Sequence, residues 1–268
     1  MVVTKGILFI NPVGHNTWDT AVKEYLAAAK DDNTEVHVIS LKKGPRHLEF
    51  HYYEALIGVE LLHTIKQAEK QGYDAAVIGC FYDPFLHEAR EICESMVVTA
   101  PAEASMQLAA MLGDRFSIMV GRRKWIPAMR RNVFKYGYGE KLASFRSLEM
   151  GVLEFHEDEK HTEAMLKSEA ERAVKDDFAE VVILGCTIQF GFYRELQELI
   201  GVPVIDAVLA PFKQAEYLVE VRNKLGWKPS KSGGFETPPV KEIVEWDLER
   251  QYGAEGLWTR NNGKNKEV

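Results

Sequence analysis

The chain has 268 residues, 46% of them apolar, enough for one large or two medium cores. Its 33 basic and 40 acidic residues give a net charge of -7, which argues against a nucleic-acid surface. No apolar stretch approaches a membrane span of about 18 residues. The opening Met1-Val-Val-Thr-Lys5 lacks a signal-peptide pattern. Three scattered cysteines fit neither a disulfide framework nor a Cys-x-x-Cys metal site, so a reducing cytoplasm is the expected setting.

In chain order, strand Ile7–Ile10 leads through the polar turn Asn11–Thr17 to a helix over Trp18–Lys30. Strand Glu35–Leu41 precedes a basic, proline-containing loop and a helix over Tyr53–Gln71. Strand Ala75–Gly79 delivers Cys80, and Asp83-Pro84 is expected to open the next helix as N-cap and first-turn proline. Strand Met96–Thr99, helix Ala102–Leu112 and strand Phe116–Val120 follow, then helix Ile126–Lys135, strand Leu142–Leu148 and a charged helix over Glu157–Lys175. Strand Val181–Gly185 delivers Cys186, followed by helix Phe192–Leu199, strand Val202–Asp206 and helix Ala207–Leu225. The turn-rich Pro229–Pro239 is expected to be exposed, and the polar end through Arg260–Val268 to fray. Strands separated by helices imply an α/β fold with parallel sheets.

The most informative feature is a repeat. Asp74-Ala-Ala-Val-Ile-Gly-Cys80 returns as Glu180-Val-Val-Ile-Leu-Gly-Cys186, each a buried strand ending in Gly-Cys and followed by helix and strand. Two copies of one α/β unit predict two Rossmann-like lobes related by a pseudo-twofold axis. One comprises residues 1–98 plus 208–268 and the other 99–207, with a site in the cleft between them. Free cysteine is often only a small core residue, and Cys93 reads that way because it sits at helical spacing with Phe85, Leu86, Ala89 and Ile92. Cys80 and Cys186 instead fall at the carboxyl edge of a parallel sheet, where ligands bind. Each follows a glycine that frees the backbone, and each precedes a helix start expected to lower its thiol pKa. Two such weak acids facing one ligand can move a proton through a carbon centre.

Six segments in order resemble the aspartate/glutamate racemase superfamily, most closely its hydantoin and allantoin racemases. They are Ile10-Asn11-Pro12, His51-Tyr52-x-Glu54-Ala55, Gly79-Cys80-Phe81-Tyr82-Asp83-Pro84, Ala102-Glu103-Ala104 with Arg115–Ile118, Ile183–Cys186, and Val202–Asp206. The resemblance implies racemisation by Cys80 and Cys186 without metal or cofactor. A small-molecule substrate is expected to be held by Asn11, Pro12, His15, Phe81, Tyr82, Gly121, Arg122, Arg123, Thr187 and Ile188, in a homo-oligomeric enzyme. The departures concern the substrate: Val13–Thr17 in the opening loop, Tyr82 where a small residue is usual, Thr187-Ile188-Gln189-Phe190 after Cys186, and Gly121-Arg122-Arg123-Lys124 at a strand end.

Asp83 reads as a helix cap rather than a group orienting Cys80, and Glu103 as either a helix-start charge or a pocket residue. His15 and His51 read as surface or packed histidines, with His51 raised by the resemblance. One of Arg122 and Arg123 is expected to grip an anionic substituent, against the plainer reading of a solvated basic turn. Three function classes follow: a racemase of a 5-substituted hydantoin or related cyclic ureide; an amino-acid racemase, maleate-type isomerase or decarboxylase on the same fold; and a non-enzymatic two-lobed binding protein.

Overall fold

The computed structural model describes residues 4–259, so the closing segment Arg260–Val268 lies outside the described residues. The fold is α/β, with two four-stranded parallel sheets. The first, in order β2-β1-β3-β4, comprises β1 Lys5–Asn11, β2 Thr34–Ser40, β3 Ala75–Ile78 and β4 Val97–Thr99. The second, in order β6-β5-β7-β8, comprises β5 Phe116–Val120, β6 Leu142–Ser147, β7 Val181–Leu184 and β8 Val204–Ile205. Every strand pair is parallel. The central strands are continuous apolar runs because helices cover both faces of each sheet.

The two halves trade their last helices. Helix α4, Pro101–Leu112, follows the first sheet yet packs on β5 and β7 of the second. Helix α8, Leu209–Leu225, follows the second sheet and packs on β1, β3 and β4 of the first. Val208, Phe212, Ala215 and Val219 meet Ile7, Phe9 and Val77 in one buried cluster. The traded helices also pack on each other, so neither half is complete without the other.

The glycines before both cysteines have a different reason from the one expected. Neither has a left-handed backbone. Each N–H donates to the neighbouring strand at 2.8 Å, Gly79 to Ile10 and Gly185 to Met119. A Cβ on Gly79 would sit 2.5 Å from the Phe9 ring, and one on Gly185 would sit 2.6 Å from the Met119 carbonyl oxygen. Close strand packing, not a sharp turn, excludes a side chain.

Asp83 also departs from expectation. The helix after Cys80, α3, begins only at Leu86, and Asp83 and Phe85 ahead of it are left-handed, with φ of 49° and 57°. The Asp83 carboxylate caps α4 instead, accepting the Ala102 and Glu103 N–H groups at 2.8 Å each.

After α8 the chain returns along the first half. Lys231 in the turn-rich loop donates to the Arg90 and Glu91 carbonyls at the end of α3 at 2.7 and 2.9 Å. Short helices α9, Val240–Glu245, and α10, Leu248–Gln251, lead to Trp258, which packs on the cluster containing Cys93.

Candidate active site

The carboxyl ends of β1, β3 and β7 open onto one cleft whose wall includes both Cys80 and Cys186. Of the residues expected to bind substrate, Asn11, Pro12, His15, Phe81, Tyr82, Thr187 and Ile188 line it with them. Asn11 ends β1 and donates its amide to Asp19 at 2.7 Å, an acceptor shared with Ser40. His15 lies between Thr17 Oγ1 at 2.8 Å and the Arg46 carbonyl at 3.0 Å. A carbonyl can only accept, so the ring hydrogen is on Nε2 and both nitrogens are committed to holding the loop. Thr187 donates its hydroxyl to the Gly79 carbonyl at 3.0 Å, tying the second cysteine turn to the residue before the first cysteine. Ile188 accepts from His156 Nε2 at 2.8 Å.

Other expected residues are placed outside the cleft wall. Gly121 is pressed between the Met150 carbonyl and the Trp125 ring, each 2.4 Å from where its Cβ would stand. Its smallness lets Trp125 reach the cleft. His51 opens α2, His51–Lys70, and faces Glu54 at 3.4 Å and Arg131 at 3.2 Å. Glu103 forms a fork with Arg90, which settles it as a helix-start charge. Arg123 pairs with Glu149 at 2.6 Å and is three-quarters exposed. Arg122 pairs with Glu49 at 2.8 Å. Each guanidinium thus already has one carboxylate partner within the protein. Asp83 lies beneath the first cysteine turn, its N–H donating to the Cys80 carbonyl at 2.9 Å and its carboxylate accepting from the Tyr136 hydroxyl at 2.9 Å.

Sequence reasoning missed the wall opposite the cysteines. Arg46, His47, Leu48 and Glu49 come from the loop after β2, and Trp125, Met129, Val152 and Leu153 from the second half. Glu49 is only 6% exposed. Its apolar neighbour Leu48, also 6% exposed, was the one signal that the loop turns inward. Burial pushes its pKa up, but hydrogen bonds from Arg122, the Val152 N–H and the Trp125 indole more than offset this and hold it below the usual value.

The thiols behave differently from expectation. Burial raises the pKa of both, Cys186 to about 12, and outweighs the backbone amides that do face the sulfurs. The Tyr82 N–H lowers Cys80, while Glu54 raises it. The Ile188 and Gln189 N–H groups lower Cys186, while Glu49 raises it. Backbone amides of the two turns are present, and desolvation wins. Among the described residues no His, Cys, Asp and Glu group is arranged to hold a metal ion.

The arrangement is that of a racemase fold, an isomerase whose two similar halves close on one cleft. The chain belongs to the Asp/Glu/hydantoin racemase family, whose model matches residues 7–215. It is 37% identical to a hydantoin racemase of Pseudomonas sp. (strain NS671) over 89% of this chain and 94% of that one. An allantoin racemase from Klebsiella pneumoniae superposes with a TM-score of 0.82 at 30% identity, covering 88% of this chain and 94% of the other. An allantoin racemase from Pseudomonas fluorescens superposes with a TM-score of 0.80 at 26% identity, covering 87% and 97%. No helix among the described residues is long and apolar enough to cross a membrane.

Proposed function

We propose that the protein racemises a 5-substituted hydantoin or related cyclic ureide, without a cofactor, using Cys80 and Cys186 as a pair of bases. The observation that carries this is the placement of two thiols at equivalent strand ends, one in each half, on the wall of a single cleft. One cysteine, as thiolate, takes the proton from ring carbon 5. The C–H bond breaks, S–H forms, and the electron pair moves into the adjacent carbonyl as an enolate. The opposite thiol gives its proton to the other face and is left as thiolate. The Phe81 and Thr187 N–H groups, which follow the two cysteines directly, are suited to the enolate oxygen.

The lining favours a neutral substituent. Trp18, Leu48, Trp125, Met129 and Leu153 supply apolar surface, whereas Arg122 and Arg123 are already paired and Arg46 contributes from an exposed position. Polarimetry of an enantiopure hydantoin tests the reading. The wild type should racemise an apolar 5-substituted hydantoin faster than a carboxyalkyl one. Cys80→Ser and Cys186→Ser should each abolish racemisation while retaining exchange of the ring proton of one enantiomer. Full racemisation by either variant would remove the two-base mechanism.

A further inference from the structure

Glu49 is an expensive residue to keep where it is. A buried carboxylate must be satisfied by donors to remain charged, and its charge opposes ionisation of Cys186, which it faces. It therefore does not activate that thiol. What it does do is reach across the cleft. Glu49 belongs to the loop between β2 and α2 in the first half, and all three of its donors belong to the second. Arg122 Nη1 donates to Oε2 at 2.8 Å, Trp125 Nε1 to the same oxygen at 3.3 Å, and the Val152 N–H to Oε1 at 3.1 Å. These donors come from two places in the second half: Arg122 and Trp125 from the turn between β5 and helix α5, Ile126–Lys135, and Val152 from the short 3-10 turn Val152–Glu154 that follows β6.

The same carboxylate lines both the cleft and a polar recess beside it, which it shares with Arg122, Glu149 and Glu154. It thus closes one side of the cleft. Next to the cysteines the halves are joined separately, by the buried Thr187 hydroxyl on the Gly79 carbonyl. The halves are also tied where Asn132 donates to the Tyr82 carbonyl at 2.7 Å, Tyr136 to Asp83 at 2.9 Å and Tyr25 to Asp206 at 2.8 Å. Glu49 is the hydrogen-bonded tie on the Arg122 side of the cleft.

We propose that Glu49 is a positioning residue that clasps Arg122, Trp125 and Val152 to fix the separation of the two halves, so that both thiols reach opposite faces of one carbon. This rests on the two-thiol reading and adds a separate requirement to it. Deprotonation needs one thiol in place, whereas inversion needs both. Loosening the clasp should let the first thiol take the proton and return one to the same face, because the opposing donor is misplaced. Loss of alignment of about 1 Å can cost on the order of a hundredfold in rate.

The test compares racemisation with deuterium incorporation into unreacted enantiomer, using an apolar 5-substituted hydantoin in deuterated water. Glu49→Ala should racemise about 10- to 100-fold more slowly, with exchange falling less, so the ratio of exchange to racemisation rises. Arg122→Ala should shift the ratio in the same direction by less. The double variant should be no worse than Glu49→Ala alone. An unchanged ratio in Glu49→Ala, or additive losses in the double variant, would overturn the clasp.

A thermal melt separates unfolding from misalignment. If Glu49→Ala has no cooperative transition, Arg122→Ala and Trp125→Phe carry the same measurement, and an unchanged ratio in both overturns the proposal. Cys80→Ser and Cys186→Ser run alongside. If either racemises fully, the two-thiol reading fails. If both are inactive while the clasp variants keep the wild-type ratio, only the clasp fails.

Discussion

At the residue scale, the two thiols set the pH response expected of the proposed mechanism. An unperturbed cysteine titrates at about 8.5, and burial moves both cleft thiols well above that. Both are therefore protonated at neutral pH. Racemisation by the proposed pair, which needs one thiolate and one thiol, should climb as pH rises above neutrality. Iodoacetamide should label Cys80 and Cys186 slowly at neutral pH and progressively faster in alkali, with a substrate analogue protecting both. Rapid alkylation of either cysteine at neutral pH would show that an amide-stabilised thiolate prevails over desolvation. The preceding glycines are equally constrained. Gly185→Ala meets backbone, which cannot swing aside, whereas Gly79→Ala meets chiefly the movable Phe9 ring. Gly185→Ala should cost about 1–3 kcal/mol and lower Tm more than Gly79→Ala does.

At the scale of elements, two buried carboxylates hold the traded helices. Asp206 caps α8 through the Val208 and Leu209 N–H groups and accepts the Tyr25 hydroxyl at 2.8 Å. Asp83 caps α4 and accepts from Tyr136. In each case the helix, its cap and the tyrosine join the two halves. Asp83→Ala strands two helix-start N–H groups and a buried hydroxyl, at a cost of about 1–3 kcal/mol, read as a lower Tm. The same group sets a pH dependence. Burial lifts Asp83 to about 7, so the folded state holds a proton that the unfolded chain releases near the usual carboxylate value. Its contribution to stability is complete below that value and is lost as pH rises through about 7. In Asp83→Asn this slope should vanish from a Tm-against-pH series.

The strands and main helices were legible because their apolar runs are long and cleanly bounded. Predicted and observed β1, β5 and α5 agree to within two residues at each end. The role of Asp83 was not legible, because Asp-Pro signals a local helix start. Nothing in a linear pattern shows that the carboxylate caps a helix across the molecule. The cysteines were legible through their repeated contexts. Glu49 was not, because its partners lie far along the chain and its loop has no period.

At the scale of the whole molecule, the segment after α8 forms a strap beyond the family match, which ends at residue 215. It is anchored at two places on the first half. Lys231 supplies donors to three carbonyls, those of Arg90, Glu91 and Phe235, while Phe235 stands 5.6 Å from the His87 ring. Trp258 stacks under the Lys66 ammonium at 5.2 Å, and Lys66 itself holds the Ile92 carbonyl at 2.8 Å. Both anchors surround Cys93, which is buried and raised to about 12 by that burial. The strap thus completes the cover over the end of α3, the helix that follows the Cys80 turn. Lys231→Ala removes a part-buried set of charged hydrogen bonds and should cost about 1–3 kcal/mol, while Trp258→Ala uncovers the same corner from the other side. Both variants should lower Tm and admit alkylation at Cys93, which in the intact protein should react only after unfolding. Racemisation should survive below the new Tm, because neither residue lines the cleft. Protection of Cys93 that persists in both variants would mean that α3 and α2 shield it without help from the strap.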